Sequence, residues 1–389
     1  MLRVNKKQFL EEGYTVIRNV VAPEQLDHLR RDAEELVRRR WPQGITEQQF
    51  QPMVHGHQSL IDEQIASTVE LFLREDVLDA TRVLMPGEPA PSAMFLMCNP
   101  IVDWGPWWWH RDVNPITKGP LEGLQEDTRA NGPTYMHWNV ALYDDEVLWV
   151  VPGSHLRPNT DEENRQLAAV DHHYGNSQLP QSDRRHTPLP GSVCPRLNAG
   201  DALLNQLEIL HWGSRYGPVQ RRTFHVGFRS FAGAGMFYEG WDNTSEFTRF
   251  LSQPSQKYYD RLKKLHEQEN DTIESTFRAI IDHDAARLRN GLAKLHPGET
   301  ARFMCLVHLC KYAQQMHANH EAIVGNRFTA DEIDVLWQRF APLDAALQTD
   351  LENYVPAFQI RGPTHYRLNE MPPDFGIDEF IAVLMASSN

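Results

Sequence analysis

Trp107-Trp108-Trp109-His110-Arg111-Asp112 is an aromatic, extended run from which the rest of the chain can be read. Side chains two apart on a strand share a face, so His110 and Asp112 aim at a common point. Trp108 has the same parity and would wall any pocket there. One imidazole and one carboxylate, met by a second imidazole from a later strand, leave open positions on a shared ion. That arrangement suits non-haem Fe(II), which must hold a co-substrate and O2. His211, at the end of a later β-prone run, is the candidate for the second imidazole, and Arg221 follows it as a basic residue.

The surroundings of this run are β-like. Ala93–Cys98, Trp107–Asp112, Tyr135–Tyr143, Val147–Val151, Ala202–His211 and Thr223–Phe231 alternate with Gly, Pro and Asn turns. Many short strands so punctuated predict an antiparallel sandwich or barrel. Upstream, a short helix closes on Gly13, a strand runs over Tyr14–Val21, and Pro23 opens a helix striped by Leu26, Leu29, Ala33, Leu36 and Val37. Residues 41–60 read as loop and 62–83 as helix. From about residue 244 the pattern has the helical period, through Phe277, Ile280, Leu288 and Leu292 to Leu306, Leu309, Leu336 and Phe340. The segment 156–195 is polar and Pro-punctuated, the texture of a lid or binding loop. The fold class expected is mainly β with helical additions. Two units follow, 1–240 with the 156–195 insertion and a mostly helical 244–389 extension packed on it.

Composition narrows the partners. The 389 residues carry 38 Lys and Arg against 52 Asp and Glu, a net charge of −14. Such a balance argues against nucleic acid or an anionic membrane as a bulk electrostatic partner. No apolar run approaches the roughly 20 residues a membrane helix needs. The N-terminus lacks the apolar core of a signal peptide. The four cysteines are too sparse for a disulfide framework, so a cytoplasmic protein with reduced thiols is expected. Cys305 and Cys310 lie in an apolar helical pattern and read as buried packing.

The motifs occur in a recognisable order. Phe9-Leu10-Glu11-Glu12-Gly13-Tyr14 is followed by His110-Arg111-Asp112, Pro152-Gly153-Ser154-His155, Gly200-Asp201, His211 and Arg221. This order, over roughly residues 5–232, resembles the phytanoyl-CoA dioxygenase family. The resemblance implies a double-stranded β-helix (jelly-roll) core with N-terminal helices and a helical C-terminal region. It implies Fe(II), with 2-oxoglutarate and O2 as co-substrates, and makes His110, Asp112 and His211 the iron ligands. Arg221 would meet the distal carboxylate of 2-oxoglutarate, a role for which a planar guanidinium fork is apt. Arg222 is adjacent, and alternation lets one of the two point inward. Arg221 is preferred because Thr223, His225 and Gly227 share its face. Trp138 matches a family position on a strand that contacts the co-substrate, with Asn99 and Asn205 as further pocket candidates and Trp108 and Arg111 as substrate candidates.

The reaction so implied is hydroxylation of an unactivated C–H of a small organic substrate, with succinate and CO2 as co-products. Desaturation and ring closure begin in the same way. Asp112 favours hydroxylation, since related halogenases carry Ala or Gly at that place. Two other classes stay open at this point: a cupin-like metalloenzyme that does not use 2-oxoglutarate, and a non-catalytic metal-binding interaction protein. The family pattern is broken at Tyr143–Trp149, where the usual polar Gly turn is missing, and a changed hairpin at the rim is predicted rather than a changed metal centre. His155 reads as a turn residue that braces the sheet, His172 and His173 as solvated loop, and His317 and His320 as exposed positions near a helix end. The C-terminal helices are expected to serve packing or a homodimer contact.

Overall fold

Local rules set the N-terminal elements. Asn5 accepts from the backbone N–H of Gln8 and Gly13 takes a φ of +83°, so α1 (Lys6–Glu12) has a defined start and stop. β1 (Tyr14–Ile17) follows, then α2 (Pro23–Arg40) with proline in its first turn. The structure, a computed structural model, describes residues 2–45, 53–55, 57–98, 109–112, 121–167, 187–213, 220–231, 246–296, 302–350, 364–366 and 377–386. β2 (Met53–His55) lies in the region read as loop, and α3 (Ser67–Leu73) and α4 (Glu75–Leu84) replace the single helix expected over 62–83. The break is at Arg74, whose ψ of 137° is extended.

β3 (Ala90–Cys98), α5 (Leu121–Asn131), β4 (Tyr135–Ala141), β5 (Leu148–Val150) and α6 (Asp161–Leu167) come next. They are followed by β6 (Ala202–Gln206), β7 (His211–Gly213) and β8 (Arg222–Arg229). Six strands form one antiparallel sheet in the order β1-β6-β4-β8-β3-β2. A second, smaller sheet pairs β5 with β7 and is widened by bridges from His110 to His211 and from Val193 to Val150. Two expectations change here. Ala202–His211 is not one strand: it turns at 207–210 and passes from the large sheet to the small one. The 156–195 segment is not all lid, since it contains α6 and its last part supplies the edge bridge at Val193. Its middle, with His172 and His173, lies outside the described residues.

Burial follows the alternation of the strands. Met136, Trp138 and Val140 of β4 and Phe224, Val226 and Phe228 of β8 pack beneath α2, α3 and α4. Ala141, Leu203, Val150 and Ile209 pack between the two sheets. Trp109, Val151, Leu210 and Trp212 face the C-terminal helices. These are α7 (Gln253–Ile281), α8 (Ala285–Leu295), α9 (Arg302–Ala318), α10 (Ala330–Leu347) and, after the short pair β9 (Gln348–Asp350) and β10 (Thr364–Tyr366), α11 (Ile377–Met385). No helix among the described residues is long and apolar enough to cross a membrane.

Candidate active site

Backbone pairing brings the metal-ligand candidates together. His110 and His211 exchange both N–H···O bonds at 2.9 Å, the closely hydrogen-bonded pairing of antiparallel strands. The Asp112 N–H donates to the Leu207 carbonyl at 3.0 Å. The His110 and His211 rings then lie 4.2 Å apart between centroids. His110 Nε2 is 3.5 Å from Asp112 Oδ1, and His211 Nε2 is 3.3 Å from Asp112 Oδ2. One ligand atom from each residue fits within 4.8 Å of the others, and among the described residues this is the one such cluster. The His211 Nδ1–H donates to the Ile209 carbonyl at 3.0 Å, which leaves Nε2 with its lone pair toward Asp112. Two imidazoles and a carboxylate, with one tautomer set by the backbone, fit a ferrous ion.

Alternation explains the neighbours. Trp109 points away from the site and stacks on Trp212 at 5.3 Å, worth about 0.5–1.5 kcal/mol beyond burial. Arg111 points the same way and is 2% exposed. It donates to the carbonyls of Ser154 (2.5 Å) and Glu208 and to Asn159 Oδ1 (2.8 Å). The expected substrate role of Arg111 is thereby corrected: it braces the loops behind the strand. Trp138 is corrected too. It is fully buried under α4, where its Nε1–H donates to Thr81 Oγ1 at 3.1 Å. Its cross-strand partner is Val226, and partners across a ladder share a face.

The residues that take the site face of β4 are His137 and Asn139, which the sequence reading passed over. His137 Nδ1 lies 3.3 Å from Asp112 Oδ2, and its ring meets His225 at 4.3 Å. The His225 Nδ1–H donates to Asn139 Oδ1 at 2.7 Å, and Asn139 Nδ2 donates to Asn205 Oδ1 at 2.9 Å. Asn205, on β6, is thus buried in a polar chain beside the site. At Gly227 a side chain would collide with the Tyr135 hydroxyl, which bonds Ser92 Oγ at 2.7 Å. The clue available in the sequence was the His137-x-Asn139 parity, the same argument that linked His110 to Asp112.

Electrostatics favour an ionised Asp112 beside neutral His137 and His225. Burial pushes the Asp112 carboxyl up, but His211, His137, His110 and His225 together hold it well below the usual carboxylate range. Burial, against the pull of Asp112, lowers His137 to about 4. Burial and then His137 depress His225 well below its ordinary value.

Arg221, just before β8, shares the parity of Thr223 and His225. Its Nε–H donates to Asp145 Oδ2 at 2.8 Å. Arg222 turns the other way and pairs with Glu34 on α2 at 2.8 Å. Within the Tyr143–Trp149 break, Asp145 reaches in to Arg221 and Thr223. His155 is buried and its Nε2–H donates to the Leu10 carbonyl at 3.0 Å, the bracing role read from Pro-Gly-Ser-His. His317 and His320 are exposed. Trp108 and Asn99 lie outside the described residues.

Several solved structures are similar to part of this chain. AviO1 from Streptomyces viridochromogenes Tue57 is similar at 21% identity, covering 58% of this chain and 93% of its own, with a TM-score of 0.41. EctD from S. alaskensis, solved with 2-oxoglutarate and 5-hydroxyectoine, is 16% identical over 58% of this chain and 75% of its own, TM-score 0.41. The non-heme alpha ketoglutarate dependent epimerase SnoN from nogalamycin biosynthesis is 15% identical over 58% and 80%, TM-score 0.39. No curated protein matches the chain. The family profile of phytanoyl-CoA dioxygenase (PhyH) matches residues 9–216, more than half of the chain. The chain therefore belongs to the phytanoyl-CoA dioxygenase family, oxygenases that work with Fe(II) and 2-oxoglutarate.

Proposed function

We propose that this protein hydroxylates an unactivated C–H of a small organic substrate, consuming O2 and 2-oxoglutarate and releasing succinate and CO2. The observation that carries the reading is the gathering of His110, Asp112 and His211, from two separate parts of the sequence, within ligand distance of one another. In this reading the two antiparallel sheets are the halves of a jelly roll. Residues 1–240 form the oxygenase unit and 244–389 a helical extension. When bound, the iron supplies the oxidative chemistry; the protein's part is to position and to exclude water.

His110, Asp112 and His211 would hold the ion by three positions and leave the rest to 2-oxoglutarate and O2. Asp112, rather than a shorter residue, occupies the position that a halide would need, which favours hydroxylation. Arg221 would receive the distal carboxylate of 2-oxoglutarate through charge-assisted bonds. His137, Asn139, His225 and Asn205 would form the polar floor.

A second reading draws on His137. Three imidazoles and one carboxylate in one pocket also suit a cupin-like metalloenzyme without 2-oxoglutarate. One experiment separates the two. Protein loaded anaerobically with Fe(II) and 2-oxoglutarate is mixed with a metabolite extract, then given O2. Retention of a metabolite, a product heavier by one oxygen atom and matched succinate support hydroxylation. Turnover that proceeds equally well without 2-oxoglutarate supports the second reading, and failure to bind Fe(II) and 2-oxoglutarate together sinks the first.

A further inference from the structure

We propose that Asp145 is a positioning residue for the co-substrate: its carboxylate fixes Arg221 and Thr223 so that the guanidinium is presented to the distal carboxylate of 2-oxoglutarate. This rests on the reading of Arg221 given above. Asp145 sits in the stretch where the chain departs from its family's turn, and nothing in the family resemblance assigns it a role.

The geometry is that of a built clamp. Asp145 Oδ2 accepts from Arg221 Nε at 2.8 Å and from Thr223 Oγ1 at 2.7 Å. Its other oxygen accepts from the Val147 N–H at 2.8 Å. Its backbone is held on both sides by Leu197, with N–H···O bonds of 2.9 Å and 3.0 Å. Asp145 is 4% exposed and Arg221 7%. A carboxylate held at both oxygens and along its own backbone cannot swing away from Arg221 without breaking several buried bonds at once.

A guanidinium is planar, so fixing the Nε edge sets the direction of the whole fork. Thr223 and His225 continue the same face of β8 toward His137 and Asp112, which ties the orientation of Arg221 to the metal cluster through one strand. The neighbouring Arg222 is held by Glu34 on the opposite face and does not compete. Burial pushes the Asp145 carboxyl up, yet Arg221, Thr223 and the Val147 N–H keep it below its ordinary value, so the clamp is ionic. A buried guanidinium without such a partner is poorly tolerated. Asp145 thus both makes a buried Arg221 acceptable and dictates how it points.

The test uses the full chain loaded with Mn(II), without O2, and calorimetric titration with 2-oxoglutarate; steady-state succinate release with Fe(II) gives KM and kcat. Asp145→Asn is expected to weaken 2-oxoglutarate binding and raise its KM about ten-fold or more, with a smaller change in kcat at saturation. Thr223→Ala, which removes one bond from the clamp and leaves the ion pair, is expected to weaken binding about three-fold and serves where Asp145→Asn does not fold. Binding that is unchanged or tighter in Asp145→Asn, or unchanged in Thr223→Ala when only that variant folds, overturns the positioning role. Arg221→Ala separates the two levels of the argument. If it leaves 2-oxoglutarate affinity intact, the anchor reading itself fails. If it abolishes binding while the clamp variants do not weaken it, only the role of Asp145 fails.

Discussion

Asp112 Oδ2 lies 3.3 Å from two imidazole nitrogens, His211 Nε2 and His137 Nδ1. His211 has its Nδ1–H committed to the Ile209 carbonyl, which turns Nε2 toward Asp112. His137, reaching in from β4, faces the same Asp112 oxygen as His211 does, and burial keeps its ring neutral beside the carboxylate. Partners of this kind typically change metal affinity ten- to a hundred-fold. His137→Leu is accordingly expected to lower Mn(II) affinity by about ten- to a hundred-fold, and His137→Gln, which keeps a donor, by less. Competition against a coloured chelator reads both. Parental affinity in His137→Leu would show that Asp112 is held by other groups.

The turn between β6 and β7 carries more of the site than its sequence suggests. Leu207 receives the Asp112 N–H, and the Glu208 carbonyl receives Arg111, so the turn anchors the strand that bears His110 and Asp112. It contains neither Gly nor Pro, which is why 202–211 reads as one strand. The Glu208 side chain is buried against α5, where Thr128 Oγ1 donates to it at 3.4 Å. Burial, reinforced by Asp127, raises its carboxyl from 4.5 to about 7. A raised pKa means the folded state keeps a proton that the unfolded chain has lost over that window. Stability from this group is present below pH 4.5 and is lost as pH rises through about 7. Glu208→Gln, neutral throughout, should therefore be more stable than the parent above pH 7 by about 1–3 kcal/mol and close to it below pH 4.5. Urea midpoints measured across this range check it; parallel curves would count against a protonated buried Glu208.

The helical extension is not a separate lobe in its packing. α7 places Tyr259 and Leu262 in the core beneath the N-terminal helices, and Ile273, Phe277 and Ile280 in the core shared with the small sheet. A second tie joins α5 to the end of α8. His296 Nε2 and Asp127 Oδ1 are 2.7 Å apart with both side chains 2% exposed. Removing one partner of such a buried pair is costly, so Asp127→Ala should lose about 3–5 kcal/mol in urea denaturation. The parent should unfold with tryptophan fluorescence and far-ultraviolet circular dichroism following one curve, because a single helix belongs to both cores. Two resolved transitions would mean that the extension is held less firmly than its contacts imply.

Periodicity and order in the chain were enough to announce the two textures, β then helical, and to single out His110, Asp112 and His211 as one candidate cluster. Those inferences use spacing along one strand and the sequence of motifs, both of which are local or linear properties. The register of β4 against β8, which sends Trp138 under α4 and His137 beside Asp112, was settled only in three dimensions. So was the entry of Asp145 beside Arg221. Each depends on which residues face one another across strands distant in sequence, and a shift of one residue reverses every side chain.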